Sequence, residues 1–294
     1  IFPVTVQANG SAVYTIKVGI PQECPVKACG RYYPERVDDV AWENDLTAFR
    51  AYGPALQETG ERAFGYDIWT KYNTTEPVVE ARYEGELNPD MKTKIAELGK
   101  MDPKAAQELY RSVSYHVDHG NGLDCYKVGP TLGGGTTALM AGDTIVYPYC
   151  YATQEILDNG PLRFTVKLVY NPLVVKGDST IIETRIITLD AGSYCNKTVV
   201  SYTNLKETMP LAVGIVLHEP DGAIVADAAN GYMTYVDPTD NAGGDNGKIF
   251  VGAAFPTLVK EAKAVLFPEK EKKELRGGAD GHVLAISEYE PGAD

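Results

Sequence analysis

From residue 131 to the carboxyl end, apolar residues recur at every second position in short runs separated by Asp-Gly, Asn-Gly and Gly-Pro steps. That is the period of strands that bury one face and turn the other to water. Residues 162–170 show it most cleanly, with Phe164, Val166, Leu168 and Tyr170 set against Arg163, Thr165 and Lys167. The same pattern marks 180–189, 197–203, 211–218, 223–228, 232–236, 249–255, 261–266 and 282–289. No helical run interrupts them, so they are predicted to pair as the antiparallel sheets of a large β-sandwich rather than as a parallel α/β sheet.

The amino-terminal half is less uniform. Two β-branched runs, Val4 to Val6 and residues 13–20, flank Asn9-Gly10 and predict a hairpin. Residues 46–52 alternate as a strand with Ala48 and Arg50 on one side and Phe49 and Ala51 on the other, ended by Gly53-Pro54. Helical signals concentrate in a short insertion at residues 89–113. Asn88-Pro89 and Asp102-Pro103 each place a capping side chain before a proline. Met91, Ile95 and Leu98 share a face that should stop at Gly99, and Ala106, Leu109, Tyr110 and Val113 form a second stripe. His116 then falls just past a helix end, where the dipole favours its protonated form. Residues 237–247 read as a turn-rich polar loop without calcium-loop spacing, and residues 267–278 as a solvated charged loop.

Composition narrows the class. The chain has 294 residues, 44% hydrophobic and 23% charged, ordinary values for a soluble globular protein. A single domain over residues 1–294 is expected, with no apolar run approaching the roughly 18 residues that span a bilayer. The net charge of −13 and the scattered basic residues argue against a nucleic-acid partner. Cysteines stand at positions 24, 29, 125, 150 and 195, an odd number at irregular spacing, so free thiols are expected and a Cys24–Cys29 disulfide is the alternative. The chain starts IFPVTV, without methionine and without a signal peptide, which is read as a processed export product.

Candidate chemistry gathers in residues 114–130, SYHVDHGNGLDCYKVGP. His116 and His119 lie three residues apart beside Asp118, Asn121, Asp124, Tyr126 and Lys127. Imidazole titrates near neutral pH, so general acid/base work is the functional reading; tethering of the loop through Asp118 or Asp124 is the structural one. A zinc site would need distant ligands such as His218 or Glu219, which leaves a divalent metal as an alternative and no other cofactor expected. Tyr126 and Lys127 suit a sugar acid, by stacking and by pairing with its carboxylate. Trp42 and Asn44 with Arg50 offer a stacking platform and a carboxylate fork, although a strand tryptophan is commonly core. His218 and Glu219 end an apolar strand at what could be a cleft mouth, Glu183 and Arg185 share a face of a polar concave sheet, and His282 and Glu288 lie near the carboxyl end. Serine-hydrolase, Walker, dinucleotide and H-E-x-x-H motifs are absent.

Residues 31–56 (RYYPERVDDVAWENDLTAFRAYGPAL), residues 115–139 (YHVDHGNGLDCYKVGPTLGGGTTAL) and the tail ISEYEPGAD resemble a domain-of-unknown-function family of Bacteroides-type bacteria, often encoded near pectin and other polysaccharide-degradation genes. The resemblance implies a periplasmic or secreted protein with a supersandwich like that of galactose mutarotase and many polysaccharide lyases. By that likeness Glu288 would be a base with His116 or His218 as acid, although the mutarotase motif Asn-His-x-x-Phe-Asn does not occur here. Lyase chemistry would instead use Tyr115 or His116 as base, with Asn121 and Arg50 neutralising a uronate carboxylate. The expectation is a carbohydrate-active protein on plant-type or uronate-containing oligosaccharides, of lyase, glycoside hydrolase or epimerase type. The alternatives are a non-catalytic carbohydrate-binding protein using Trp42 and Tyr126, and a metal-dependent hydrolase.

Overall fold

A computed structural model describes residues 1–20, 23–240 and 246–293. The chain runs through β1 (Ala28–Tyr33), β2 (Asp39–Asn44), β3 (Thr47–Ala51), α1 (Pro54–Glu58) and β4 (Asp67–Thr70), then α2 (Val79–Leu87), α3 (Pro89–Met101) and α4 (Pro103–Val113). After the histidine-bearing stretch come β5 (Gly134–Ala141), β6 (Thr144–Ile145), β7 (Tyr151–Gly160), β8 (Arg163–Tyr170), β9 (Leu173–Val175), β10 (Asp178–Asp190), β11 (Lys197–Thr203) and β12 (Met209–Leu217). The remainder is β13 (Ile224–Asp227), β14 (Tyr232–Asp237), β15 (Ile249–Ala254), β16 (Glu261–Leu266), α5 (Glu269–Leu275) and β17 (Gly281–Tyr289).

Among the described residues these strands form antiparallel sheets in the orders β1-β2-β3-β4, β11-β10-β8-β7 with β9 on β10, β16-β17-β12-β5-β6, and β13-β14-β15. The mainly β, sandwich-type architecture follows from which faces are apolar. One face of the first sheet (Val40, Trp42, Phe49, Ala51) packs on Phe164, Val166, Leu168, Ile187 and Leu189 of the second. Its other face (Ala41, Ala48, Trp69) is covered by Val79 and Tyr83 of α2 and by Tyr115. The second sheet meets the third through Ile181, Tyr202, Leu139 and Met209, and the third meets the fourth through Ile215, Val283, Met233 and Val251.

Covering the first sheet on both faces changes the meaning of its polar residues. Every residue of β2 and β3 is buried. Trp42, expected as a sugar platform, is 0% exposed; its ring stacks with Phe49 and Phe164 at centroid distances of 6.0 and 6.2 Å, and its Nε1 donates to Asn196 Oδ1 at 2.8 Å. Asn44 is equally committed: its Nδ2 donates to the Asp190 and Ser193 carbonyls, and its Oδ1 accepts from the Leu46 and Thr47 amides. Glu183 and Arg185 pair with each other inside β10, both buried, under the ring of Tyr170, so they line the core and no concave surface.

Other local expectations divide by whether a surface was at hand to pack on. The capped helices form as the sequence indicates, with Asn88 accepting from Met91 N–H and Asp102 from Lys104 and Ala105 N–H. The α3 helix runs past Gly99 to Met101, and α2 was not foreseen. The amino-terminal hairpin does not form. Only the turn remains, with Gly10 N–H on the Gln7 carbonyl at 2.8 Å, while Val13, Ile16, Val18 and Ile20 stand exposed. A two-stranded ribbon with no third strand or helix to bury its apolar side is marginal in water. Residues 267–278 contain the short α5 rather than only loop, and Arg276 turns inward over Tyr147 at 4.0 Å. The loop 237–247 lies partly outside the described residues. The five cysteines are free thiols, Cys24 and Cys29 included. No described helix is long and apolar enough to cross a membrane.

Trp42→Ala should cost about 3–5 kcal/mol of stability, the range for emptying a buried aromatic site. Urea unfolding monitored by far-UV circular dichroism measures it; a loss under about 1 kcal/mol would mean that Trp42 is not core.

Candidate functional site

The stretch 114–130 is a loop pinned at both ends. Ser114 N–H closes α4 on the Tyr110 carbonyl at 3.0 Å, and the chain doubles back so that Asp124 N–H reaches the Tyr115 carbonyl at 2.9 Å. Within the turn, Asp118 Oδ1 accepts from Gly120 N–H at 2.8 Å and Gly122 N–H at 3.2 Å. Gly122 has φ of 95°, and a Cβ there would sit 2.0 Å from the Thr70 carbonyl oxygen, so the crossing over β4 requires glycine.

Beneath this loop lies a buried charge cluster built by strand alternation. Arg50 leaves β3 on the side opposite Phe49, as the pattern predicts, but points inward and is 3% exposed. Its Nη2 donates to Asp124 Oδ2 at 2.8 Å and to Tyr52 Oη at 3.1 Å, and pairs with Asp67 Oδ2. Its Nε lies 3.8 Å from Asp39 Oδ2, and its guanidinium sits over the rings of Tyr52 and Trp69 at 4.9 and 5.2 Å. Arg36 is a second cation, 3.9 Å from Asp39, with its Nε donating to Tyr115 Oη at 3.0 Å. Three carboxylates thus face two guanidiniums. Burial first, and the Asp67 charge in addition, outweigh the cations and push Asp39 up to about 7 and Asp124 up to about 6.

The turn that delivers Arg36 and Asp39 is strained. Val37 and Asp38 have φ of 47° and 65°, left-handed values that a β-branched residue rarely adopts, at a cost of order 1–3 kcal/mol each. Asp38 is held by Ala55 N–H, which donates to its Oδ2 at 3.2 Å, by the Tyr32 hydroxyl, and by Gly53, where a Cβ would lie 1.9 Å from the Asp38 carbonyl oxygen.

At the surface of the cluster stands His116, its side chain 50% exposed. Its Nδ1–H donates to the Asp124 carbonyl at 3.2 Å and lies 3.7 Å from Asp124 Oδ2. Its ring leans on Tyr115 at 4.5 Å, and Tyr115 stacks on Trp69 at 5.0 Å. Among the described residues its Nε2 has no hydrogen bond. The neighbouring His119 is a tether, its Nε2–H donating to the Ser114 carbonyl at 3.0 Å. His218 forms a second dyad: its Nδ1 lies 2.6 Å from Asp237 Oδ2, its side chain is 16% exposed, and Tyr126 lies 6.3 Å away. The extended residues 124–126 join the two dyads, with Asp124 backing His116 and Tyr126 flanking His218.

The structure therefore gathers Arg50, Tyr115, His116 and, through residues 124–126, Tyr126 and His218. It separates the rest. Asn121 Oδ1 accepts from Arg82 Nη2 at 2.5 Å, inside the loop. Tyr126 is buried with its hydroxyl on the Gly133 carbonyl, Lys127 is exposed, and Glu219 is exposed at the strand end while its N–H donates to Tyr235 Oη. Glu288 forms a surface pair with Lys260 at 2.6 Å. It stands opposite Pro210, at the far end of β12 from His218, about 26 Å along the strand at 3.3 Å per residue. It cannot share a site with His218. His282 is buried, accepts Leu132 N–H on Nε2, and is lowered to about 3 by that burial and by Arg276. Among the described residues no three His, Cys, Asp or Glu side chains converge as a metal site. Sequence reasoning missed Asp39, Asp67 and Asp237 as partners. The signal was present, since each stands in an aromatic, strand-forming run where an unpaired charge would cost several kcal/mol.

Folding takes Asp39 from the ordinary 3.8 up to about 7, so the native protein holds a proton that the unfolded chain has released across that window. Stability should therefore fall as pH rises from about 4 to about 7. Asp39→Asn, fixed in the neutral form, is expected to flatten that decline. Urea midpoints compared at about pH 5 and about pH 8 test this, and an unchanged slope in the variant would rule the assignment out.

A stretch of 224 residues, 74% of this chain, is 27% identical to the Uncharacterized protein P7 of Formosa agariphila, and it covers 50% of that protein. The chain thus spans about half the length of the curated relative it matches. No solved structure matches it. The model of the family described as Domain of unknown function (DUF4861) matches residues 1–294, and the chain belongs to that family.

Proposed function

We propose that this chain is a carbohydrate-active enzyme acting on plant-type or uronate-containing oligosaccharides, with the His116 imidazole as its proton-transfer group. The observation that carries the reading is the combination, in one ring, of a fixed Nδ1–H and a half-exposed edge with an unbonded Nε2. Donation from Nδ1 to the Asp124 carbonyl leaves the Nε2 lone pair as the basic position of the neutral ring. Nε2 can accept a proton from a bound sugar, and the Asp124 carboxylate 3.7 Å from Nδ1 then stabilises the imidazolium until the proton is returned. Arg50 anchors that carboxylate from below. The carbohydrate class is supported by the resemblance of residues 31–56 and 115–139 noted above.

The geometry also weighs the variants of this chemistry. A lyase would need Arg50 and Asn121 free to neutralise a uronate carboxylate, but Arg50 is spent on three aspartates and Asn121 on Arg82. Tyr115, the other proposed base, is buried between Trp69 and Tyr83. Binding without catalysis through Trp42 and Tyr126 would need exposed rings, and both are buried. Proton transfer by the His116 imidazole needs neither a freed Arg50 nor an exposed ring, and these contacts favour it on that ground.

His116→Ala should lower turnover by about 10²–10⁴-fold, the usual contribution of a positioned acid/base group, with a smaller effect from His119→Ala. Incubation with a panel of pectic and neutral plant oligosaccharides, with products read by mass spectrometry, is the assay. Turnover unchanged in both variants would remove the mechanism.

A further inference from the structure

A groove of about 530 Å³ opens beside the histidine loop and has no part in the proton transfer just described. It is lined by Asp45, Tyr72, Asn73, Thr74, Thr75 and Tyr194. Two of these are large rings turned to water: Tyr72 is 43% exposed and Tyr194 is 70% exposed. The groove is tied to the loop. The Tyr72 hydroxyl contacts Asp118, and Asn73 Nδ2 donates to the Gly120 carbonyl at 3.4 Å, so one wall backs directly onto the turn that carries His116. Asn73 itself has φ of 53°, a left-handed value that asparagine tolerates better than most residues.

The charges at the groove exclude an anion. Lys71 lies at its floor, but the Nζ donates to Glu43 Oε2 at 2.9 Å, to the Asn44 carbonyl at 2.6 Å and to the Glu76 carbonyl at 2.9 Å. Its three donors are used and its side chain is 1% exposed, so nothing is left to recognise a carboxylate. Asp45 accepts Gly192 N–H on one oxygen, which leaves the other oxygen as an acceptor for a hydroxyl. A purely apolar ligand would strand the amide and hydroxyl groups of Asn73, Thr74 and Thr75. A molecule with an apolar face and a rim of hydroxyls satisfies both halves of the lining.

We propose that this groove is a binding subsite for neutral saccharide units, with Tyr72 and Tyr194 stacking on sugar faces and Asp45, Asn73, Thr74 and Thr75 meeting ring hydroxyls. The proposal rests on the carbohydrate reading above and narrows it: the units seated here carry no carboxylate, whatever the rest of the substrate bears. Titration calorimetry of the full chain with xylotetraose, galactotetraose, cellotetraose and tetragalacturonate tests it. At least one neutral tetramer is expected to bind, and tetragalacturonate at least about tenfold more weakly than it. Tyr194→Ala, which removes an exposed side chain, and Tyr72→Ala should each weaken neutral binding by about tenfold or more, while Tyr72→Phe, which keeps the ring, should retain it. Neutral binding unchanged in both alanine variants, or tighter binding of tetragalacturonate than of every neutral tetramer, would overturn the subsite and leave the His116 mechanism standing. Failure of all four sugars to bind the wild-type chain would overturn the subsite and the carbohydrate reading together.

Discussion

Burying Arg50 is the constraint from which the site takes its form. A guanidinium removed from water costs several kcal/mol unless its donors meet acceptors of opposite charge, and breaking such a pair on one side leaves the other charge stranded at about 3–5 kcal/mol. The acceptors come from three places: Asp39 on β2, Asp67 on β4 and Asp124 on the return of the histidine loop. The interaction therefore joins three strands of the first sheet, β2, β3 and β4, to a loop that follows three helices. It also fixes the loop's inner end, because Asp124 cannot leave Arg50 without exposing a buried charge.

Other features follow from that anchor. The left-handed Val37 and Asp38 are tolerated because the turn they make sets Arg36 and Asp39 against the cluster. With Asp124 held, its carbonyl and carboxylate meet Nδ1 of His116, and the outer edge of that imidazole is left toward water. The turn between His116 and Asp124 is braced by Asp118 and by Gly122, and its outer surface becomes one wall of the tyrosine-lined groove. The buried ion cluster, the half-exposed imidazole and the tyrosine-lined groove are thus all tied to one loop.

How far the sequence revealed this depends on the residue. The alternation in 162–170 placed Phe164, Val166 and Leu168 in the core, and the proline and capping signals at Asn88 and Asp102 placed two helices. The same alternation placed Arg50 on the correct side of β3, yet it could not show that this side is covered by α2 and Tyr115. Arg50 for that reason reads as an open carboxylate fork; Trp42 and Asn44, on the opposite face, are covered instead by the second sheet and the chain that follows β10. The amino-terminal runs had a strand pattern but no partner, so local propensity alone did not make a hairpin there. Glu288 was aligned with the histidines by likeness of its motif, and the register of β17 on β12 sends it to the opposite end of the sheet.

The sequence by itself determined most strands from residue 162 onward, the helical insertion and the concentration of ionisable side chains in residues 114–130, because those depend on side-chain period, caps and glycine positions within a few residues of one another. Only the tertiary structure decided which polar residues face water. That choice turns on which surfaces cover a strand, and Asp39, Arg50, Asp67 and Asp124, spread over 86 positions of the chain, meet only when the sheet and loop are assembled.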